Sequence, residues 1–139
     1  MGNLHACSTN ARDRRPFQNG QIEGTKNSHS RTALKEWLID TGATISVITK
    51  SNAEQFDLTV LGGSASSTTG GGGILLKSGL RMVFTLLKHT GADEQVRCSL
   101  PIGVKSNDHG SEILGMDQLA HVKAKVRWDP SRQDGDLFE

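Results

Sequence analysis

Residues 33–39 read ALKEWLI, with Trp37 and Ile39 on one side of an extended chain and Leu38 on the other, and run directly into Asp40. That pattern predicts a strand ending at the acid. TISVIT, residues 44–49, is β-branched and predicts a second short strand, after which Ser51 is placed to cap a helical turn through Glu54 and Gln55. DLTVL, residues 57–61, makes a third extended piece. The following stretch, LGGSASSTTGGGGI, contains four consecutive glycines, Gly70 to Gly73, and has nothing with which to build a core. It predicts a mobile loop or hairpin tip.

ILLKSGLRMVFTLLK and EQVRCSLPIGV are two long extended segments joined by HTGAD, a turn containing Gly91, and together they predict a β-hairpin. In the second, Val96, Cys98, Leu100 and Ile102 alternate with polar residues, so one face is expected to be buried. KSNDHGSE reads as a polar loop, ILG as a short strand and MDQLAH as a short helix. VKAKVRW then puts Val122, Ala124, Val126 and Trp128 on one face. About seven short strands with one or two helical turns over roughly a hundred residues predict an all-β domain, closed or folded over on itself.

Composition divides the chain. Residues 1–31 hold two of the five His, the Arg12, Asp13, Arg14, Arg15 cluster and scattered apolar residues, and are expected to be a flexible tail or pro-segment. Residues 32–129 form the expected domain, and residues 130–139 a C-terminal tail. With 16 basic and 15 acidic residues the net charge is +1, which disfavours a nucleic-acid partner. No apolar run approaches the roughly 20 residues of a membrane span, and no signal peptide is visible, so a cytoplasmic location without membrane attachment is expected. MGNLHA begins like a myristoylation signal but carries Ala6 where the pattern requires Ser or Thr. Two cysteines, Cys7 and Cys98, are too few for a disulfide framework and read as free thiols. The histidines share no metal-ligand spacing, Cys98 reads as a small buried hydrophobe, and Leu76 stands where a phosphate loop ending in Lys77-Ser78 would need Gly. No metal or organic cofactor is expected.

The segment with the most chemical content is Asp40-Thr41-Gly42-Ala43, placed where an apolar strand stops. A turn there can aim a carboxylate at a cavity, with Gly42 permitting close approach and the Thr41 hydroxyl available to be tied down. By itself the triplet reads as an Asx-type turn.

Its surroundings change that reading. WLIDTGATISVI resembles the active-site segment of retropepsins, the aspartic proteases of retroviruses and LTR retrotransposons. Ile113-Leu114-Gly115, 75 positions after Asp40 (115 − 40), resembles the second element of that family, and residues 69–75, TGGGGIL, stand where its flap tip belongs. The resemblance spans about residues 34–128 and implies a closed β-barrel with one short C-terminal helix, forming a homodimer. It implies an aspartic endopeptidase acting on extended polypeptide, in the setting of retroelement polyprotein processing, with Asp40 as the catalytic carboxylate. Thr41 would exchange hydrogen bonds across the dimer base and Gly42 would accept from the substrate backbone. Ala43, the flap residues Gly70, Gly71, Gly72, Gly73 and Ile74, and Ile113, Leu114 and Gly115 would form the substrate-binding surface. Thr44 and Met116 stand where many retroviral members carry an acid and a base, so that ion pair is missing. Asp117 reads as an acid near a helix start.

Peptide hydrolysis by carboxylates needs two of them, one ionised to take a proton from water and one protonated to polarise the carbonyl. The chain has one such triplet and is too short for two lobes, so the second Asp40 must come from a second copy about a two-fold axis. Like charges held close cannot both ionise readily, which predicts a shared proton and acid-leaning activity. Two other readings stand beside this one: a retropepsin-fold dimer that binds peptide or protein partners without cutting, and an unrelated all-β binding module in which the triplet is only a turn.

Overall fold

The computed structural model describes residues 2–26, 31–66 and 73–139. In chain order the elements are β1 (Phe17–Gly24), β2 (Arg31–Ile39), β3 (Val47–Ile48), α1 (Lys50–Ala53), β4 (Thr59–Ser66), β5 (Gly73–Ser78), β6 (Leu80–Leu87), β7 (Asp93–Cys98), β8 (Ile102–Lys105), β9 (Glu112–Leu114), α2 (Met116–His121), β10 (Lys125–Asp129) and β11 (Asp134–Phe138). The strands form one sheet in the order β10-β11-β6-β1-β2-β9-β3-β8-β5-β4, with β7 also paired to β6. No described helix is long and apolar enough to cross a membrane.

The expected barrel closure is not observed: the sheet path is open, ending in β10 on one side and β4 on the other. Both ends carry features that discourage further pairing. β10 presents Lys125, Arg127 and Asp129 to solvent, and the β4–β5 ladder is interrupted by a register shift between Val60 and Ser64.

Alternation explains the core. Leu80, Met82, Phe84 and Leu86 recur every second residue along β6 and are all buried. Against them lie Trp37 and Ile39 of β2, Ile22 of β1, Cys98, Ile102, Leu114, Leu119 and Leu137. Each such side chain contributes about 1.5–3 kcal/mol on burial. Both thiols are free, and burial raises that of Cys98 above its ordinary value, so it behaves as the small hydrophobe expected.

Several expectations need correction. The segment 1–31 is not a tail in this structure: β1 lies in the sheet between β2 and β6, and the N-terminal segment runs along β11 and β1 through bridges from Leu4 to Gly135 and from His5 to Phe17. Its hydrophobic positions escape notice because a register shift between Gln18 and Gly20 breaks the alternation, and because Gln18 and Glu23 are themselves buried. Residues 134–138 are likewise β11, with Leu137 fully buried. The long segment from Ile74 is cut into β5 and β6 by Gly79, whose φ of +115° suits a residue without a side chain. The segment from Glu94 is cut into β7 and β8 around Pro101, which has no amide proton for a ladder. The first helix begins at Lys50 with Thr49 in the cap position, while the Ser51 amide donates to Asp108 Oδ1 at 2.8 Å. The β6–β7 hairpin and α2 form where predicted. Its turn is closed by bonds from Lys88 N to Ala92 O and from Gly91 N to Lys88 O.

Candidate active site

Asp40 follows the last residue of β2, and the sheet topology dictates what happens next. β2 runs parallel to β9, with Trp37, Leu38 and Ile39 opposite Glu112, Ile113 and Leu114. β3 lies on the other side of β9, with Val47 opposite Ile113. The connection 40–46 must therefore pass over the end of β9, which brings the Asp-Thr-Gly turn against Gly115 and the start of α2.

Hydrogen bonds fix the turn at each step. The Asp40 amide donates to Leu114 O at 3.0 Å, and the Ala43 amide returns to Asp40 O at 3.2 Å. The Gly42 amide donates to Asp40 Oδ1 at 2.9 Å, orienting the carboxylate from within its own turn. Met116 N donates to Ala43 O at 2.8 Å. Ser46, fully buried, accepts from the Gly115 amide at 2.8 Å and gives its hydroxyl proton to Asp117 Oδ1 at 2.7 Å. The same Asp117 oxygen accepts the Ser46 amide at 3.0 Å and the Gln118 amide at 2.7 Å. Asp117 thus serves the helix start, as its sequence position suggests, and also ties α2 to the Asp40 turn. That second role could not be read from spacing, because Ser46 lies 71 residues away.

Gly115 is required by close approach. A Cβ there would meet Ile45 O at 2.7 Å and Ala43 O at 2.9 Å, backbone atoms of the turn itself. A second brace lies behind β9. Glu112 accepts from Thr49 N and Oγ1 at 2.8 and 2.7 Å and from Asn52 Nδ2 at 2.8 Å. The buried Lys105 donates to His109 O and Ser111 O at 2.8 and 3.0 Å, holding the loop before β9. Burial lowers the Lys105 ammonium from its ordinary value, partly opposed by Glu112.

The expected site residues therefore fall in two places. Asp40 is half-buried, Thr41 and Gly42 are exposed, and Ala43 is half-buried, while Leu114 and Gly115 are buried beneath them and Ile113 is half-buried. The Thr41 hydroxyl has no hydrogen-bond partner among the described residues. Gly73, exposed, opens β5, and Ile74 is buried against the position a Gly103 Cβ would take. Gly70, Gly71 and Gly72 lie outside the described residues. A cavity of about 530 Å³ sits between α1, β5 and β8, lined by Ala53, Phe56, Ile74 and Val104 among others; Asp40 is not part of it. The Asp40 turn instead occupies an open face.

What fold and site define together is a β-rich domain that presents one braced Asp-Thr-Gly carboxylate at the end of a buried strand. No protein-family model and no curated protein matches the chain. Among solved structures it is similar to the EIAV protease complexed with the inhibitor HBY-793. The identity is 25%, over 85% of this chain and 97% of that one, with a TM-score of 0.42.

Proposed function

We propose that the chain is an aspartic endopeptidase that works as a homodimer, with one Asp40 from each copy. The observation that supports this most is the bracing of the Asp40 turn by Leu114, Gly115, Ser46 and Asp117, since a short carboxylate loop is held rigid from behind and left open in front. The exposure of Thr41 and Gly42 fits a surface that a second copy covers.

In this reading an ionised Asp40 takes a proton from water as the water oxygen bonds to the scissile carbonyl carbon. The protonated Asp40 of the other copy gives its proton to the carbonyl oxygen. Collapse of the tetrahedral intermediate breaks the C–N bond, and the proton taken from water passes to the leaving amine. Gly42 and Ala43 offer backbone to an extended peptide, and Ile113 contributes a side-pocket wall. A retroelement polyprotein is a fitting substrate class for such an enzyme.

Incubation of an unstructured protein with the wild type and with Asp40→Asn, at mildly acidic and neutral pH, followed by mass spectrometry of released peptides, tests the reading. Cleavage by the wild type that disappears in Asp40→Asn supports it. Absence of cleavage by a folded dimer turns the assignment to a peptide-binding module.

A further inference from the structure

The β5–β8 ladder sorts the residues around the cavity of about 530 Å³ onto two faces. Leu75 lies opposite Val104 and Lys77 opposite Ile102, so these four side chains share one face, while Ile74 and Lys105 share the other. Val60, opposite Lys77 in the β4–β5 ladder, extends the first face. Ala53 of α1, with Phe56 and Leu58 just after it, completes an apolar groove. Much of it is uncovered: Val60 is 53% exposed and Leu75 44%. Apolar surface left open beside a cavity marks a place where something binds, and the volume falls within the range of small-molecule sites.

The charged residues of the lining are Lys50, Glu54, Asp57, Lys77 and Lys105, and their effects do not cancel. Lys50 and Glu54 stand 3.8 Å apart, both exposed, and neutralise each other. Asp57 is exposed, so water and salt screen it. Lys77 is half-buried and makes no ion pair among the described residues. Lys105 is buried on the neighbouring face; its ammonium is turned to the loop 106–111, where two carbonyls accept from it and no described carboxylate lies within ion-pair distance. A positive charge in a poorly hydrated wall acts more strongly than one in water. The groove therefore combines apolar walls with a positive field.

We propose that this groove binds an amphipathic carboxylate, an aliphatic chain lying against Phe56, Leu58, Leu75 and Val104 with its carboxylate on the Lys77 ammonium and the Lys105 charge behind it. Chain and head group answer the two properties of the lining: methylenes cover the exposed apolar surface, and the anion pairs a cation that has no partner in the chain. Such a ligand touches α1, β5 and β8 at once, so it stabilises the folded chain by mass action. Asp40 takes no part in the groove, and the assignment stands apart from the peptidase reading.

The test uses the full chain and sodium decanoate, kept below the concentration at which it self-associates, with calorimetry for affinity and amide NMR shifts for location. A Kd on the order of 0.1 mM is expected, with shifts centred on residues 53–58, 74–77 and 104–106. Octanoate, shorter by two methylenes, is expected to bind about tenfold more weakly. Decyltrimethylammonium, a tail of the same length with the opposite charge, is expected to bind about tenfold more weakly or worse. Lys77→Gln weakens decanoate about fivefold, and Asp57→Asn strengthens it about twofold. Neither side chain is buried, so both variants keep the fold, which circular dichroism checks. Equal binding of the anion and the cation, an affinity unmoved by Lys77→Gln, shifts centred elsewhere, or no binding of decanoate overturns the assignment. A capped apolar peptide that takes these residues where decanoate does not also overturns it, and gives the groove to a polypeptide partner.

Discussion

Replacing Asp117 with alanine removes one oxygen that receives three protons: those of the Ser46 amide, the Ser46 hydroxyl and the Gln118 amide. Neither Ser46 nor Gln118 has any accessible surface, so water cannot replace the lost acceptor, and the Ser46 pair alone sets a lower bound on the cost. An orphaned buried donor costs about 1–3 kcal/mol. The Ser46 amide and hydroxyl together then put Asp117→Ala near 3 kcal/mol of lost stability. With a urea slope of about 2 kcal/mol per M, the unfolding midpoint should fall by roughly 1.5 M. Asp117→Asn keeps an acceptor oxygen and loses only the charge, for about 1 kcal/mol. Because the effect passes through Ser46, Ser46→Ala and Asp117→Ala should be strongly non-additive, with a coupling of about 1–2 kcal/mol in a double-mutant cycle. Activity should fall further than stability, since a displacement of about 1 Å at a reacting group costs about 100-fold in rate. An Asp117→Ala chain within about 0.5 kcal/mol of wild type, or losses that simply add to those of Ser46→Ala, would refute the brace.

Gly115→Ala drives a methyl group into Ile45 O and Ala43 O, and should cost about 2 kcal/mol and abolish peptide release while circular dichroism still reports the sheet. Leu137→Ala, in a segment whose composition reads as a tail, should cost about 2–5 kcal/mol by urea denaturation because the side chain is fully buried. Burial would raise the Glu36 carboxyl, but the Ser8 amide, the Cys7 thiol and His5 outweigh it and hold the group below its ordinary value. Its stabilising contribution is therefore complete above about 4.5 and lost as the pH falls through the lower folded-state value. Glu36→Gln should accordingly destabilise the chain at pH near 7 and lose its effect near pH 2, as followed by denaturation midpoints.

The parts of this molecule legible in the sequence are those where local pattern and tertiary role coincide. β2 announces itself through Trp37, Leu38 and Ile39 and ends at Asp40 as its pattern requires. β6 and β7 flank a glycine turn and carry the alternating Leu80, Met82, Phe84, Leu86 and Val96, Cys98 sets, and α2 follows a glycine that marks its start. β1 and β11 stay hidden because tertiary pairing compensates for weak local signals. Two buried polar residues and a bulge blur β1, and a lone Leu137 carries β11. At the site, the Asp-Thr-Gly turn and Ile113-Leu114-Gly115 were visible as types at a spacing. The Ser46–Asp117 link depends on which strands become neighbours, and a linear pattern does not record that.

The central claim is that two copies of Asp40 share one active site, and subunit mixing tests it most directly. Peptide release would be measured for the wild type, for Asp40→Asn, and for the two co-refolded in equal amounts at unchanged wild-type concentration. Random pairing leaves a quarter of the dimers with both carboxylates, so the account predicts no release by Asp40→Asn and about half the wild-type release from the mixture. Release that persists in Asp40→Asn, or that stays at the full wild-type level after mixing, would contradict it.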